Sequence, residues 1–378
     1  MMSRLRMGVV AGVGVALTAG AAWYAASKYL ALANSGQSVS TSFLRERSLA
    51  IVACDSDGAW LAAASRVDSA RARKSGISAA LAEVESRVVR MGRQAPFVSP
   101  ALGRGLIISM ADTGDGALWV VLLTRPAAEG AGGVLIRSSD GGHSWVRVDV
   151  PTDNVIGVVF RSPVQGYVWS ATDVYSTEDA GRKWQGVSVL PYRLVRSTQP
   201  GRPALTPSGA LLVPLFGPSE PSQSRHLPMS AVGRVTANAS LEVLGEWDDE
   251  VVQGAAMGSD GAVLALLTPA NGGGAQLVRL PAGSSQDKAS LWNRVGGSAR
   301  LYSSDAALAI DVIEDHQPKG LFPKWPHVVL TSVDGGMSWA KADVTQESSR
   351  SLCLASQGYW TLSERHSRLV YHSAAELR

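Results

Sequence analysis

Short apolar runs separated by tight polar turns recur along most of the chain. IVACDSDGAWLA, ISMADTGDGALWVVLL, ALTPSGALLVPL and MGSDGAVLALL each read as strand, turn, strand, the signature of a β-hairpin. Seven such centres fall at Asp57-Gly58, Asp115-Gly116, Gln165-Gly166, Ser208-Gly209, Asp260-Gly261, Asp305-Ala306 and Gln357-Gly358. They lie roughly 40–60 residues apart, close to the ~40–50 residues of a four-stranded blade. Seven centres predict an all-β chain folded as a β-propeller of about seven four-stranded blades over residues 48–378. The C-terminal run LVYHSAAELR is expected to finish the last blade, with Ser42–Val52 supplying its missing strand.

Two stretches break this rhythm. From Ser65 to Arg93 the chain is rich in Ala, Arg and Glu, and Ile77, Leu81, Val84, Val88 and Met91 fall on one helical face. This predicts an amphipathic helix of about four turns, capped by Ser75 or Ser78 and inserted in the first blade at 65–93. Its apolar stripe packs on the propeller's edge, or it docks a partner with Arg66, Arg71, Arg73, Lys74, Arg87, Arg90 and Arg93 turned outward.

The second stretch is Gly8 to Ala26, which carries no charge and approaches the ~20 residues a helix needs to cross a bilayer. Arg4 and Arg6 precede it, Trp23 and Tyr24 close it, and Lys28 follows. The basic excess on the N-terminal flank puts that end in the cytoplasm and the remainder outside. Residues 1–28 thus read as a single-pass signal anchor in the inner cell membrane, and 29–47 as a tether, small and polar over Asn34–Thr41. A cleaved signal peptide ending at Ala31-Leu32-Ala33 is the alternative, and the propeller is external or periplasmic in either case.

Composition changes this picture little. Lys+Arg 35 against Asp+Glu 32 leaves +3, too small an excess to point to nucleic acid. Eleven tryptophans against five phenylalanines, with 39 glycines, suit a turn-rich protein in which Trp recurs within a motif. The six histidines show no ligand spacing and no CxxC exists, so neither a metal nor another cofactor is expected. Cys54 and Cys353 each sit a few residues before a hairpin centre, one in the first blade and one in the last. Those blades adjoin in a closed ring, so the two can pair in an exported protein; two separate buried thiols are the alternative.

A second repeat is sharper. Ser138-Ser139-Asp140-Gly141-Gly142-His143-Ser144-Trp145, Thr177-Glu178-Asp179-Ala180-Gly181-Arg182-Lys183-Trp184 and Ser332-Val333-Asp334-Gly335-Gly336-Met337-Ser338-Trp339 all read [S/T]-x-D-x-G-x-x-W. The carboxylate accepts from turn N–H groups, the glycine permits positive φ, and the indole covers the turn. LEVLGEW, ending at Trp247, and KASLW, ending at Trp292, read as degenerate copies. The motif resembles the Asp box of the BNR-repeat families: sialidases, sortilin-type receptors and the photosystem II assembly factor family. The resemblance implies that Asp140, Asp179 and Asp334 are structural, in hairpins joining the outer two strands of a blade.

A sialidase resemblance would also imply an arginine triad, a Tyr–Glu pair and an Arg-Ile-Pro motif. Phe160-Arg161-Ser162-Pro163 and Thr124-Arg125-Pro126 lack the apolar middle residue of that motif. The acidic groups Asp248-Asp249-Glu250 and Glu314-Asp315 read as solvated loops rather than the facing carboxylates of a glycosidase. No catalytic residue is therefore assigned. Binding candidates are Arg193, Arg196 and Arg202 in a Pro-punctuated connection, and Leu321, Phe322 and Trp325 in the long segment Glu314–His327. The aromatic segment docks a partner or plugs back onto its own blade. Resemblance to the assembly factors implies a scaffold that binds another protein or membrane complex; the other reading is a carbohydrate-acting or glycan-binding propeller.

Overall fold

The structure, a computed structural model, describes residues 47–65, 83–124, 132–194, 203–217, 229–236, 238–270, 274–280, 289–290, 298–304, 307–313, 327–342, 349–356, 358–363 and 369–373. The expected anchor at 1–28 and nearly all of the tether lie outside them. Among the described residues no helix is long and apolar enough to cross a membrane.

Seven antiparallel sheets follow one another along the chain. The first blade is β1 (Arg47–Cys54), β2 (Gly58–Ser65), β3 (Glu85–Gly92) and β4 (Phe97–Val98), with β5 (Gly103–Arg104) pairing back on β3. The second is β6 (Leu106–Asp112), β7 (Leu118–Leu123), β8 (Gly133–Ser138) and β9 (Val146–Val148). The third is β10 (Gly157–Phe160), β11 (Gly166–Trp169), β12 (Asp173–Thr177) and β13 (Gln185–Ser188). The fourth is β14 (Ala204–Leu205), β15 (Leu211–Phe216), β16 (Ser230–Val235) and β17 (Leu241–Trp247). The fifth is β18 (Glu250–Met257), β19 (Val263–Pro269), β20 (Gln276–Leu280) and β21 (Ala289–Ser290). The sixth is β22 (Ser298–Ser303), β23 (Leu308–Ile313), β24 (His327–Ser332) and β25 (Ala340–Ala342). The seventh has three strands among the described residues: β26 (Ser349–Ala355), β27 (Gly358–Ser363) and β28 (Leu369–Ser373).

Each sheet meets the next, the third meeting the fourth through Tyr167, Trp169, Leu211 and Val213, and the seventh meets the first through β1 and β26, closing a seven-bladed ring. Burial follows position in the blade. Second strands are covered on both faces by neighbouring blades, so β7 (LWVVLL) is buried throughout; outer strands such as β13 (QGVS) are largely exposed. First strands carry a β-bulge in four blades, at Ile51/Ala53, Ile107/Ser109, Val252/Gly254 and Ser349/Ser351. A bulge adds local twist, which suits a strand crowded near the axis.

The blades are joined by large side chains and buried hydroxyls. Trp119 of the second blade stacks on Phe160 of the third with centroids 3.9 Å apart. Ser109 Oγ donates to the Val158 carbonyl at 3.1 Å and accepts from the Val158 N–H at 3.0 Å. Ser230 Oγ likewise donates to the Glu250 carbonyl at 2.6 Å and accepts from the Val252 N–H at 3.1 Å. At the seam between the seventh and first blades a disulfide joins Cys54 to Cys353, with Cα atoms 6.1 Å apart.

Four expectations are corrected. The helix at 65–93 is strand at both described ends: Ser65 closes β2 and Glu85–Gly92 form β3, while 66–82 lie outside the described residues. Val88 and Met91 are buried in β3, but so is Val89 between them, because the strand is covered on both faces. The segment Ser42–Val52 does not serve the last blade over its described part, since Arg47–Cys54 pairs with Gly58–Ser65 as the first strand of the first blade. Trp247 ends β17 rather than following a turn between third and fourth strands, so LEVLGEW is not a degenerate motif; Trp292 lies outside the described residues. Glu250 opens β18 rather than lying in a loop.

Candidate functional site

The meander gives the ring two distinct faces. One carries the turns between first and second and between third and fourth strands. The other carries the connections between second and third strands and from each blade to the next; the chain enters β1 from this second, loop face.

On the turn face, the three [S/T]-x-D-x-G-x-x-W segments join third to fourth strands in the second, third and sixth blades. In the first, Ser138 Oγ donates to Asp140 Oδ1 at 2.7 Å and accepts from the Gly142 N–H at 2.8 Å; Asp140 Oδ1 also accepts from the Ser144 N–H at 2.9 Å. In the third, Gly336 N–H reaches Ser332 Oγ at 2.7 Å and Ser338 N–H reaches Asp334 Oδ1 at 2.9 Å. The Ser338 hydroxyl, its N–H and the Ser332 hydroxyl hold the Asp334 carboxyl down at about 2. Asp140 is lowered by the Ser144 hydroxyl and N–H, and Asp179 chiefly by the Lys183 N–H. The Trp145 and Trp339 indoles donate to the Gly142 and Gly336 carbonyls at 3.0 and 3.1 Å, whereas Trp184 reaches the Asp149 carbonyl near the preceding blade at 3.0 Å. Gly336 has φ +89° and packs so closely on Leu264 of the fifth blade that an added Cβ would lie 2.4 Å from its Cδ1.

A small pocket of about 100 Å³ also opens between the third and fourth blades, where Tyr167 OH donates to the Gly209 carbonyl at 2.9 Å. Arg161, Glu178 and Ser208 line it. Burial, then the Glu178 charge, pushes the Tyr167 phenol up, so it stays a neutral donor. Another carboxylate pair belongs to the blade seams. Arg90 Nη2 lies 2.6 Å from Asp55 Oδ2, its Nη1 lies 3.6 Å from Asp112 Oδ2, and Asp112 Oδ2 accepts from the Trp60 indole at 2.6 Å. These acids are bound to a cation and an indole, an arrangement that ties blades together. Among the described residues no group of three or more His, Cys, Asp and Glu could hold a metal ion.

The loop face carries exposed apolar and basic side chains. After β13 the chain turns through the cis bond Leu190–Pro191, with Tyr192 N–H on the Val189 carbonyl at 3.0 Å. Tyr192 is buried, and its hydroxyl donates to the Glu246 carboxylate. Burial and that carboxylate push the phenol well up. Arg193 then exchanges two backbone hydrogen bonds with Phe216, at 2.8 and 2.9 Å, and Leu194 turns inward again. The turn leaves Leu190 64% exposed, and the in-out-in run of Tyr192, Arg193 and Leu194 leaves the Arg193 side chain in solvent. Beside them, Met229 is 40% exposed and its carbonyl accepts from the Gly217 N–H, one residue past Phe216. The backbones of Arg193, Phe216 and Met229 thus come together at the loop-face end of the fourth blade, with Leu190 three residues before Arg193.

Of the binding candidates, Arg193 is described; Arg196, Arg202, Leu321, Phe322 and Trp325 lie outside the described residues. The segment 314–326 joins the loop-face ends of β23 and β24, so its anchor points share the face that bears Arg193. Sequence reasoning missed Leu190 and Met229. Both flank a proline (Leu190-Pro191, Pro228-Met229), and an apolar residue beside a proline in an irregular connection was the available signal.

No family model matches the chain, and no curated protein matches its sequence. Among solved structures, the one titled "YCF48 bound to D1 peptide" is similar over 87% of this chain and 96% of that one, at 14% identity and a TM-score of 0.52. The tricorn protease is similar over 88% of this chain and 36% of its own, at 11% identity and 0.54. The β-propeller domain of the Trilobed protease from Pyrococcus furiosus is similar over 86% and 97%, at 7% identity and 0.54. At these identities the likeness is one of fold.

Proposed function

We propose that this chain is a protein-binding propeller, an assembly or stability factor held at a membrane by the apolar segment that precedes Arg47. The observation that carries this reading is the exposure of Leu190, Arg193 and Met229, two apolar side chains and a cation, on the face from which the chain enters the ring. Exposed apolar side chains beside an arginine are the composition of a protein-docking surface. A tether attached ahead of β1 would turn this face toward the bilayer and toward whatever complex lies in it. The similar propeller titled as bound to a D1 peptide supports peptide binding as a use of the fold. We read the three turn motifs as Asp boxes with a purely structural role, which leaves their carboxylates out of any chemistry. The carbohydrate reading has no comparable support; the carboxylates of Asp55 and Asp112 are engaged by Arg90 and Trp60.

The test is affinity purification of the full-length protein from gently solubilised native membranes, compared with a Leu190→Asp/Arg193→Glu variant. The same membrane complex should co-purify with the wild type and be lost with the variant, while both unfold at similar temperature. Equal recovery with both would move the docking surface elsewhere. Recovery of no complex would remove the scaffold reading.

A further inference from the structure

We propose that the Cys54–Cys353 bond is a redox-operated latch on the ring: its reduction in the folded protein frees the seventh blade from the first and leaves the other six seams closed. The chain itself runs through those six seams, blade to blade. Across the seventh, among the described residues, the disulfide is the one covalent link, and it joins β1 to β26 over a sequence separation of 299.

The apolar contact behind the bond is built partly from small side chains. Ala59 and Ala63 of the first blade and Ala355 of the seventh supply small side chains there, with Leu49, Leu61, Leu362 and Trp360 around them. Trp360 and Tyr371 of the seventh blade, with ring centres 4.9 Å apart, belong to this cluster, whereas between the second and third blades a ring from each side is stacked, Trp119 on Phe160. Polar contacts also cross the closing seam. Trp360 Nε1 donates to the Asp55 carbonyl at 2.9 Å, and the exposed Arg93 guanidinium lies 5.3 Å from the Tyr371 ring centre.

Both cysteines are only half-buried, so a small dithiol can reach them without unfolding. One thiolate of the dithiol attacks either sulfur, giving a mixed disulfide and one free cysteine thiolate. The second thiol of the reductant then closes on the first, leaving as a cyclic disulfide and releasing the other cysteine. Two electrons and two protons pass from the dithiol to Cys54 and Cys353. The chain has just two cysteines, so reoxidation has a single intramolecular product.

The experiment uses the full-length protein in detergent with dithiothreitol and no denaturant, read by thiol alkylation and by hydrogen exchange. Both thiols should become alkylated. Protection should fall about tenfold or more in β1 and β26–β28 and stay unchanged in β10–β20. Removing the reductant in air should restore it, and Cys54→Ser/Cys353→Ser should match the reduced protein. The proposal is overturned if the bond yields only in denaturant. It is overturned equally if the reduced protein keeps full protection at the seam, or loses it evenly around the ring. Should the double variant not fold, the reduced wild type carries the comparison.

Discussion

The Trp360 indole of the seventh blade donates to the Asp55 backbone carbonyl of the first at 2.9 Å. Asp55 also accepts from Arg90 through its carboxylate, and Arg90 leans toward Asp112 of the second blade. One residue therefore stands at the junction of three blades. The junction depends on its main-chain oxygen on one side and its charge on the other.

Trp360→Phe keeps an aromatic ring but removes the donor and part of the buried volume. The expected loss is about 1–3 kcal/mol of unfolding free energy, read from urea denaturation under oxidising conditions. A change near zero would mean that water replaces the indole freely and that the bond adds little to closure.

The buried hydroxyls that stitch blades together should be individually costly. Ser109→Ala leaves the Val158 N–H and carbonyl without their cross-blade partner, and Ser230→Ala does the same to Val252 and Glu250. Each should lower stability by about 1–3 kcal/mol, the cost of leaving buried polar groups unsatisfied. Thermal and chemical denaturation of the two single variants checks this.

Two glycines separate conformational cost from steric cost. An added Cβ at Gly157 would lie 2.0 Å from the Trp169 ring, with no positive φ involved. At Gly141 φ is +71° and nothing lies within 4 Å of the added atom. Gly141→Ala should therefore cost about 1–2 kcal/mol from backbone strain alone. Gly157→Ala should cost about 1–3 kcal/mol through displaced packing and should also shift tryptophan fluorescence, which Gly141→Ala should not.

The Asp334 turn predicts a pH dependence of definite sign. Its carboxyl is lowered from 3.8 to about 2 by the Ser338 hydroxyl and N–H and by Ser332. A lowered folded-state value gives stability that is present above the unfolded value and lost as pH falls through the folded one. The wild type's margin over Asp334→Asn should thus be constant above about pH 4 and shrink toward pH 2. Unfolding midpoints measured from pH 6 to pH 2 test this, and a margin independent of pH would rule out the carboxylate as the source.

The positions of the first hairpins were legible because each sets a tight turn between two apolar runs. Gly209 and Gly261 fall between a first and a second strand, and Gly58 opens the second strand of the first blade. Cysteine register was legible from the same phase, as Cys54 and Cys353 occupy late positions in β1 and β26. Residues 83–93 were misread for a physical reason. A strand covered on both faces has no alternation, and Val84, Val88 and Met91 then satisfy a helical period by chance. Arg87 and Arg90 reinforced the error, since they look like a polar helix face, yet Arg90 is drawn inward by Asp55 and Asp112. At the candidate site the cation was visible and its apolar neighbours were not. Leu190 is turned outward by a turn, and Met229 is brought to the blade end that bears Arg193 by pairing with Gly217, next to Phe216, which joins distant parts of the chain.

The Cys54–Cys353 bond makes this stretch of polypeptide covalently circular. A single proteolytic nick within it therefore does not release a fragment. Arg182 and Lys183 are exposed in a turn of the third blade, the kind of place a trypsin-like enzyme cuts. The two resulting pieces would migrate as one molecule until the sulfurs part, so damage in the intact ring would stay hidden except under reducing conditions.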